Sequence, residues 1–547
     1  MERSLGHRAP LLWLLLPFMG GLAAGRDWTP PVAVLAAVVA VSLAIGIFGA
    51  RSDTRLGFTL WAAGLFSAVA AAGVAWIGLH NSWIPEWKHL PAREAVLVLR
   101  IERTFPQPEG RESVSGLAHV ESGEGTAAEI AGRRVYFSAQ PTLEVALRRG
   151  AIVRVKGILE SVARNPERGG FDEYLVNAGA QFRLGRGRAL EEVKPPGAMH
   201  RLAGVVSERM KDALSKGLED IPHLRNIYLA MLLGMKAELG PEQEEIFLKS
   251  GTLHLFAISG LHIGAMALAL HGVLLLLRVP RKFSAVVQLM TLWIYVQATG
   301  APPSAVRAWI MIAFLRAGQE LKWPGNAISA IAASALVVLL IDPFQFFGAS
   351  FQMSYAVVAS LLFLGIPLSD RVDTWFKPFA SLPAPTWLWW HHLYAASARK
   401  VLQTLMVCFA ATLVSTPMAV EVFGWFTPGS FFANLLVVTM AFFVVAAGFC
   451  ASCTGMFGVP WLPELFNHAG ALVIATMEWL LETVVSVPGI AHQAEFRNEW
   501  AGGAVVVALL GILLAGYAGQ WRGRVRAWLA AAFLIAAMSA AVKLTGG

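Results

Sequence analysis

The stretch Gly251-Thr-Leu-His-Leu-Phe-Ala-Ile-Ser-Gly-Leu-His-Ile-Gly264 opens an apolar segment with two histidines and a serine. Imidazole and hydroxyl groups can move protons or hydrogen-bond a passing substrate, and in hydrocarbon they are costly without partners. If the whole stretch is helical, Ser259 and His262 share a face at i, i+3, and His254 lies on one side of the same helix. Gly260 and Gly264 have the spacing that admits a second helix backbone at close range. Two readings stay open: a polar group hydrogen-bonded across a helix contact, or a substrate path or catalytic pair.

A second stretch is Thr299-Gly-Ala-Pro-Pro-Ser-Ala-Val-Arg307. Pro302 and Pro303 stop one helix, Ser304 is placed to cap the next, and Arg307 follows a turn later. That arginine either snorkels to the membrane interface or faces a polar channel where it meets phosphate. A third is Asp342-Pro-Phe followed by Ser350-Phe-Gln-Met-Ser-Tyr355, in which Asp342 caps a turn or serves a site, while Gln352 and Ser354 add polar groups to the head of an apolar span. Thr412, Ser415 and Thr416 do the same farther on. No GxxxxGK[ST] loop, HExxH pair or GxSxG elbow occurs, so no ATP motor, zinc protease or nucleophile elbow is legible. Cys450 and Cys453 have CxxC spacing but no second pair, which leaves packing or redox and metal chemistry open; no metal site or cofactor is expected. The adjacent His391 and His392 sit in a Trp-rich stretch suited to interfacial anchoring.

These residues must be carried by membrane helices. Of 547 residues, 56% are apolar and only 15% charged, against roughly 25% charged in soluble domains. Disorder, collagen and disulfide scaffolds are excluded. Residues 1–79 predict three transmembrane helices, the first a retained anchor rather than a cleaved signal peptide, and ten further apolar segments between about 252 and 543 bring the expectation to about thirteen spans. Residues 201–250 are helical in pattern but too charged to span, which predicts amphipathic helices at the interface, and 251–547 form the main transmembrane domain. In alternate loops, Arg3, Arg8, Arg51, Arg55, Arg278, Arg281, Lys282, Arg316, Lys322, Arg371, Lys377, Arg399, Lys400, Arg522, Arg524 and Arg526 face one side, against Arg26 and Arg497 on the other. By the positive-inside rule the N-terminus is cytoplasmic and residues 80–200 lie outside.

Residues 80–200 alternate with period two over 94–101, 133–137 and 151–159, which predicts an all-β barrel or sandwich. The net charge of the whole chain is +8. Within the β-rich part the charge is uneven: 80–130 is acidic, whereas 131–190 holds Arg133, Arg134, Arg148, Arg149, Arg154, Lys156, Arg164, Arg168, Arg183, Arg186 and Arg188, interleaved with Tyr136, Phe137, Phe171, Tyr174 and Phe182. Cations beside aromatic rings suit single-stranded nucleic acid, whose phosphates are neutralised while bases stack. A solvated strand face or contact with anionic lipid accounts for the charges as well.

The stretch from His254 to Gly264 resembles the signature of the ComEC competence proteins, the DNA-internalisation channels of naturally transformable bacteria. Thr299-Gly with Ser304-Ala-Val-Arg307-Ala308, and Asp342-Pro with Phe351-Gln-Met-Ser-Tyr355, resemble further membrane motifs of that family. Asn165-Pro, Gly169-Gly-Phe-Asp172 and Tyr174-Leu175 resemble the end of its external domain. The resemblance implies an OB-like fold outside the membrane and a conduit for single-stranded DNA in the cytoplasmic membrane. Carried over, His254, Ser259, Gly260, His262, Gly264, Ser304, Arg307, Asp342, Gln352 and Ser354 form or support the conduit, and Arg133, Arg134, Tyr136, Arg154, Lys156, Arg164, Arg168, Phe171, Arg183, Arg186 and Arg188 form the DNA-binding face. Implied partners are single-stranded DNA, the lipid bilayer, a DNA receptor on the outer side, a separate nuclease and a cytoplasmic helicase.

Two departures qualify it. Many members carry a C-terminal metallo-β-lactamase-like domain, which has no counterpart before Gly547, so nuclease activity is not expected of this chain. Residues 80–200 hold no cysteine, so the disulfide known from some members cannot form. The alternatives to a DNA channel are a small-solute transporter with a site between broken helices, or an intramembrane hydrolase using Ser259 and His262.

Overall fold

The computed structural model describes residues 10–545 except 27, 29, 81–90, 106–111, 164–165, 167–169, 237–238, 323–325, 457, 460 and 522–527. Arg164 and Arg168, both expected on the DNA-binding face, lie outside the described residues. The chain forms two compact units, one of residues 1–207 and 280–352, the other of 208–279 and 353–547.

The first unit begins with α1 (Leu12–Gly25), α2 (Val32–Ala50) and α3 (Arg55–His80). Glycines let these helices touch backbone to backbone: a Cβ at Gly64 of α3 would stand 2.5 Å from the Gly46 nitrogen of α2.

Five strands follow: β1 (Arg93–Thr104), β2 (Val114–Gly123), β3 (Arg134–Gln140), β4 (Ile152–Ser161) and β5 (Ala180–Lys194). They close into a barrel in the order β1-β2-β3-β5-β4, with β3 and β5 parallel and β4 pairing back onto β1. The period-two pattern dictates the core: Leu97, Leu99, Val135, Phe137, Val153, Val155 and Leu184 point inward and are fully buried. The helix α4 (Phe171–Asn177) lies in the β4–β5 connection, and α5 (Ala198–Ser215) leaves the barrel. Three more helices complete this unit: α9 (Arg281–Ala298), α10 (Pro303–Glu320) and α11 (Ala327–Ile341), the last followed by a tight turn at Pro343–Phe347. The Trp76 indole on α3 donates to the Leu339 carbonyl of α11 at 3.1 Å.

In the second unit, α6 (Pro222–Leu233) and α7 (Pro241–Lys249) lead into α8 (Gly260–Leu276). The expectation of surface-lying helices at 201–250 fails for α6, in which every residue from 227 to 233 is buried. The charges that suggest a surface helix lie mainly on α5 and α7, while α6 carries Arg225 near its start and is apolar from 227 to 233. Asn467 caps the end of α5 from α16 (Leu462–Val485), its amide donating to Ala213 and Lys216 carbonyls at 2.8 and 2.9 Å. The remaining helices are α12 (Ala349–Ser360), α13 (Ile366–Trp375), α14 (Trp389–Phe423), α15 (Ser430–Met456), α17 (Ala501–Ala518) and α18 (Trp528–Ala541). A π-turn at Leu361–Gly365 joins α12 to α13. Pro367 has no N–H for the Phe363 carbonyl four residues back, and the Trp521 indole supplies a donor instead at 2.8 Å.

Among the described residues seven helices are long and apolar enough to cross a membrane, and α1, α8, α11 and α18 are apolar but shorter. With the barrel, this is a multi-pass membrane protein carrying a β domain. Three short strands, β6 (Trp425–Phe426), β7 (His492–Phe496) and β8 (Val542–Leu544), pair in one sheet.

Candidate functional site

In the second unit the His254–Gly264 stretch is not one helix. His254 lies in a tight turn, Leu253–Phe256, which buries Leu255 and Phe256 and leaves the imidazole exposed. Ser259 is extended (φ −106°, ψ 174°) and caps α8, which starts at Gly260. Its Oγ accepts from the Leu261 N–H at 3.2 Å, and its own N–H donates to His262 Nδ1 at 3.3 Å. This reciprocal arrangement is a capping box with histidine in the third helical position. Because Nδ1 accepts, the neutral ring carries its proton on Nε2, which is buried and has no hydrogen-bond partner among the described residues. A Ser259–His262 contact of 3.0 Å exists, but among the described residues no carboxylate orients the ring as a hydrolase base requires. Around Gly264 nothing lies within 4 Å of where a Cβ would stand, so the GxxxG approach expected from Gly260 and Gly264 does not form there.

The other motif residues belong mainly to the first unit. Ser304 does not cap α10; Pro302 takes that place and Pro303 starts the helix, since proline fits a first turn whose N–H groups have no partner. Arg307 is 1% exposed, and its guanidinium donates to the Ser350 carbonyl and Oγ at 2.7 Å each and to Gln345 Oε1 at 3.4 Å. It neither snorkels nor faces open space. Gln345 Nε2 in turn donates to Asp342 Oδ2 at 3.4 Å, and Asp342 Oδ1 accepts from the Phe344 N–H at 3.2 Å, so Asp342 does cap its turn. Gln352 donates to the Phe346 carbonyl at 3.1 Å. Ser354 lies two residues farther along α12, in the second unit.

Asp342 also meets the barrel. Arg134 NH1 donates to Asp342 Oδ2 at 3.1 Å and to the Ala178 carbonyl at 2.7 Å, while its Nε and NH2 grip both oxygens of Glu102 at 2.9 and 3.0 Å. His119 Nε2 stands 3.4 Å from Glu102. Burial pushes the Glu102 carboxyl up, but the hydrogen bond from His119 and the charges of Arg134 and His119 outweigh it and hold it down at about 2. Burial works against the Arg134 charge, yet Asp342 and Glu102 raise its proton affinity above that of an ordinary guanidinium. Close by, Arg149 joins the Glu102 carbonyl at 3.0 Å to Gln297 of α9 at 2.9 Å. Gly179, at φ +74°, lies so close to the Phe344 ring that a Cβ would stand 2.6 Å from it.

On the barrel's outer surface four rings form a contiguous group. Phe105 stacks on Tyr136 (centroids 6.3 Å apart), Phe171 stacks on Tyr174 (5.9 Å), and edge contacts of 5.0 Å (Tyr136–Phe171) and 6.0 Å (Phe105–Tyr174) close the square. Beneath it Leu117, Leu175 and Ala180 are buried. Phe171 and Tyr174 remain 47% and 41% exposed, and Arg183 and Arg103 lie over rings of the group at 5.8 and 5.6 Å.

Many of the basic residues expected to bind DNA already have acidic partners. Besides Arg134, Lys156 pairs with Glu94 at 3.0 Å, Arg154 reaches Glu191 at 3.4 Å and Glu124 at 3.8 Å, and Arg183 pairs with Asp172. Arg133 is half-buried on the edge of β3. Arg186 and Arg188 are exposed and make no ion pair among the described residues. Sequence reasoning named Ser350 as a polar group at the head of its span but missed Phe105, Glu102, Gln345 and Gln297, none of which lies in a basic run.

A family model described as Competence protein matches residues 231–524, more than half of the chain. ComE operon protein 3 of Bacillus subtilis is 36% identical over 153 residues, covering 28% of this chain and 20% of that protein. An uncharacterized protein, YcaI, of Escherichia coli is 27% identical over 237 residues, 40% of this chain and 27% of the relative. Recombination protein 2 of Haemophilus influenzae is 24% identical over 298 residues, 52% of this chain and 35% of the relative. The matches thus span between a fifth and about a third of these relatives' lengths. No solved structure matches.

Proposed function

The chain belongs to the competence protein family, and from that premise we propose that it conducts single-stranded DNA through the cytoplasmic membrane during transformation, its barrel receiving the strand outside. The observation that carries this reading is the ring group of Phe105, Tyr136, Phe171 and Tyr174 with two guanidinium groups over it. Exposed stacked rings accept any base by its face, and neighbouring cations neutralise the backbone. Double-stranded DNA hides base faces, so the platform selects single strands. The barrel's strand order resembles an OB fold, in which the β1–β2 and β4–β5 connections and the β2–β3 face bind oligonucleotides. Phe105 follows β1, Phe171 and Tyr174 lie in the β4–β5 connection, and Tyr136 is on β3.

In this reading the N-terminus is cytoplasmic, Arg186 and Arg188 extend the contact along β5, and the motif residues from His254 to Ser354 support the conduit by fixing helix ends. An outer DNA receptor, a separate nuclease and a cytoplasmic helicase are the proposed partners. The hydrolase alternative is disfavoured by the role of His262 as a capping residue.

The test is uptake by vesicles holding this protein and, inside, a single-strand-binding protein as a trap. Labelled single strands should become protected from external nuclease at least tenfold over protein-free vesicles, and duplex of equal length should not. Equal protection with and without the protein would sink the proposal.

A further inference from the structure

Arg307, Gln345, Asp342, Arg134 and Glu102 form an unbroken hydrogen-bonded chain, every step 3.4 Å or shorter, from the interior of α10 to the surface of the barrel. The family resemblance makes two of its links, Arg134 and Asp342, a DNA contact and a conduit residue. Neither side chain is free for DNA: they are 15% and 18% exposed and face each other. We infer that Arg134 and Asp342 are positioning residues, whose ion pair latches the barrel's ring platform onto the turn that ends α11.

Three features support the inference. Arg134 and Tyr136 are two residues apart on β3 and so share its outer face. Arg134 also holds the Ala178 carbonyl at the end of α4, the helix that carries Phe171 and Tyr174. The platform and the latch are therefore built on the same two elements. Finally, Phe344 packs against Gly179 and Arg149 reaches Gln297, which gives the contact three separate points and so a defined orientation. A strand stacked on the platform is then held in one orientation to the turn that ends α11, whose Gln345 accepts from Arg307 of α10.

This rests on the proposed function, but its first test does not. Asp342→Asn keeps a side chain able to cap the turn while removing the charge opposite Arg134; Asp342→Glu keeps the charge. In the full-length protein in lipid vesicles, amide hydrogen exchange of segments 171–185 and 342–352 should quicken at least tenfold in D342N and stay within threefold of wild type in D342E. The DNA readouts follow: D342N should bind single strands within twofold of wild type and take them up at least tenfold more slowly. Unchanged exchange in D342N overturns the latch. A loss of binding parallel to the loss of uptake overturns the positioning role, because the platform itself has then been damaged. Faster exchange in D342N with no uptake by wild type leaves the latch standing and sinks the conduit instead.

Discussion

The ring platform gives the most quantitative prediction. Phe171 and Tyr174 offer the most exposed faces of the group, 47% and 41%, and stack on each other at 5.9 Å with 20° between planes. One base laid on Phe171 is worth about 1–3 kcal/mol. Phe171→Ala should therefore weaken single-strand binding roughly tenfold, since about 1.4 kcal/mol is a factor of ten. The double change with Tyr174→Ala should cost about 30- to 100-fold, less than two independent bases, because each ring partly supports the other. Removing Leu143, wholly exposed on the β3–β4 connection and outside the group, should change nothing.

Fluorescence anisotropy of a labelled oligothymidine with the full-length protein in detergent reads these changes. A salt titration separates stacking from charge. Each phosphate neutralised contributes ~0.7 to the slope of log K against log salt for single strands. Replacing Arg186 and Arg188 by Gln should lower that slope by ~1.4 in total, whereas Arg183→Gln should lower it less, since Arg183 is already paired with Asp172. Phe171→Ala should leave the slope unaltered. If Phe171→Ala binds within twofold of wild type, or if it changes only the slope, the platform is not where bases sit.

Three further outcomes follow from the geometry. Glu102 is held at about 2 against an ordinary 4.5, so its contribution is complete above pH 4.5 and is lost as pH falls toward 2; Glu102→Gln should destabilise the protein near pH 7 by about 1 kcal/mol, given solvent screening of a half-exposed group, and the difference in thermal midpoint should vanish in acid. Gly179→Ala should destabilise by roughly 1–3 kcal/mol through left-handed strain and collision with Phe344, and adding Phe344→Ala should recover the collision's share but not the strain's, as chemical denaturation of the double mutant would show. Ser259→Ala should cost about 1 kcal/mol of helix stability and Ser259→Thr much less, with DNA uptake tracking stability; abolished uptake at unchanged stability would instead revive a chemical role.

How much of this was legible in the sequence depends on the range of the interaction involved. Local patterns were readable: period-two alternation gave the barrel core, apolar runs gave the helices, and Asp342-Pro marked a capped turn. Ser259 and His262 were correctly paired at i, i+3, but the extended backbone that makes Ser259 a cap rather than a helical residue was not apparent, because serine fits both. Phe105 stood in a proline-rich turn of the acidic half and had no local reason to join Tyr136. Arg134 and Asp342, 208 residues apart, each had a sufficient local explanation, so nothing in either neighbourhood announced the other.

The charge of the β domain shows the same limit and how register removes it. Counting along the chain separates an acidic half from a basic half, as though one face were strongly cationic. Strand pairing interleaves the halves. β1 lies beside β4, which brings Glu94 to Lys156, and β2 pairs with β3, across which Glu102 of β1 reaches Arg134. A basic residue stays available only where its neighbours across the sheet are not acids. Arg188 meets that condition, being opposite Gln140 on β3 and Lys156 on β4. Arg186 meets it differently: at φ 49° it occupies an irregular stretch of β5 between Gly185 and Gly187, outside the paired register. The cationic surface is therefore narrower than the composition suggests, and it lies along β5, the strand that runs beside Tyr136 through the Tyr136–Arg183 pair. A strand of DNA that stacks on the rings and follows the remaining charge must then run along β5.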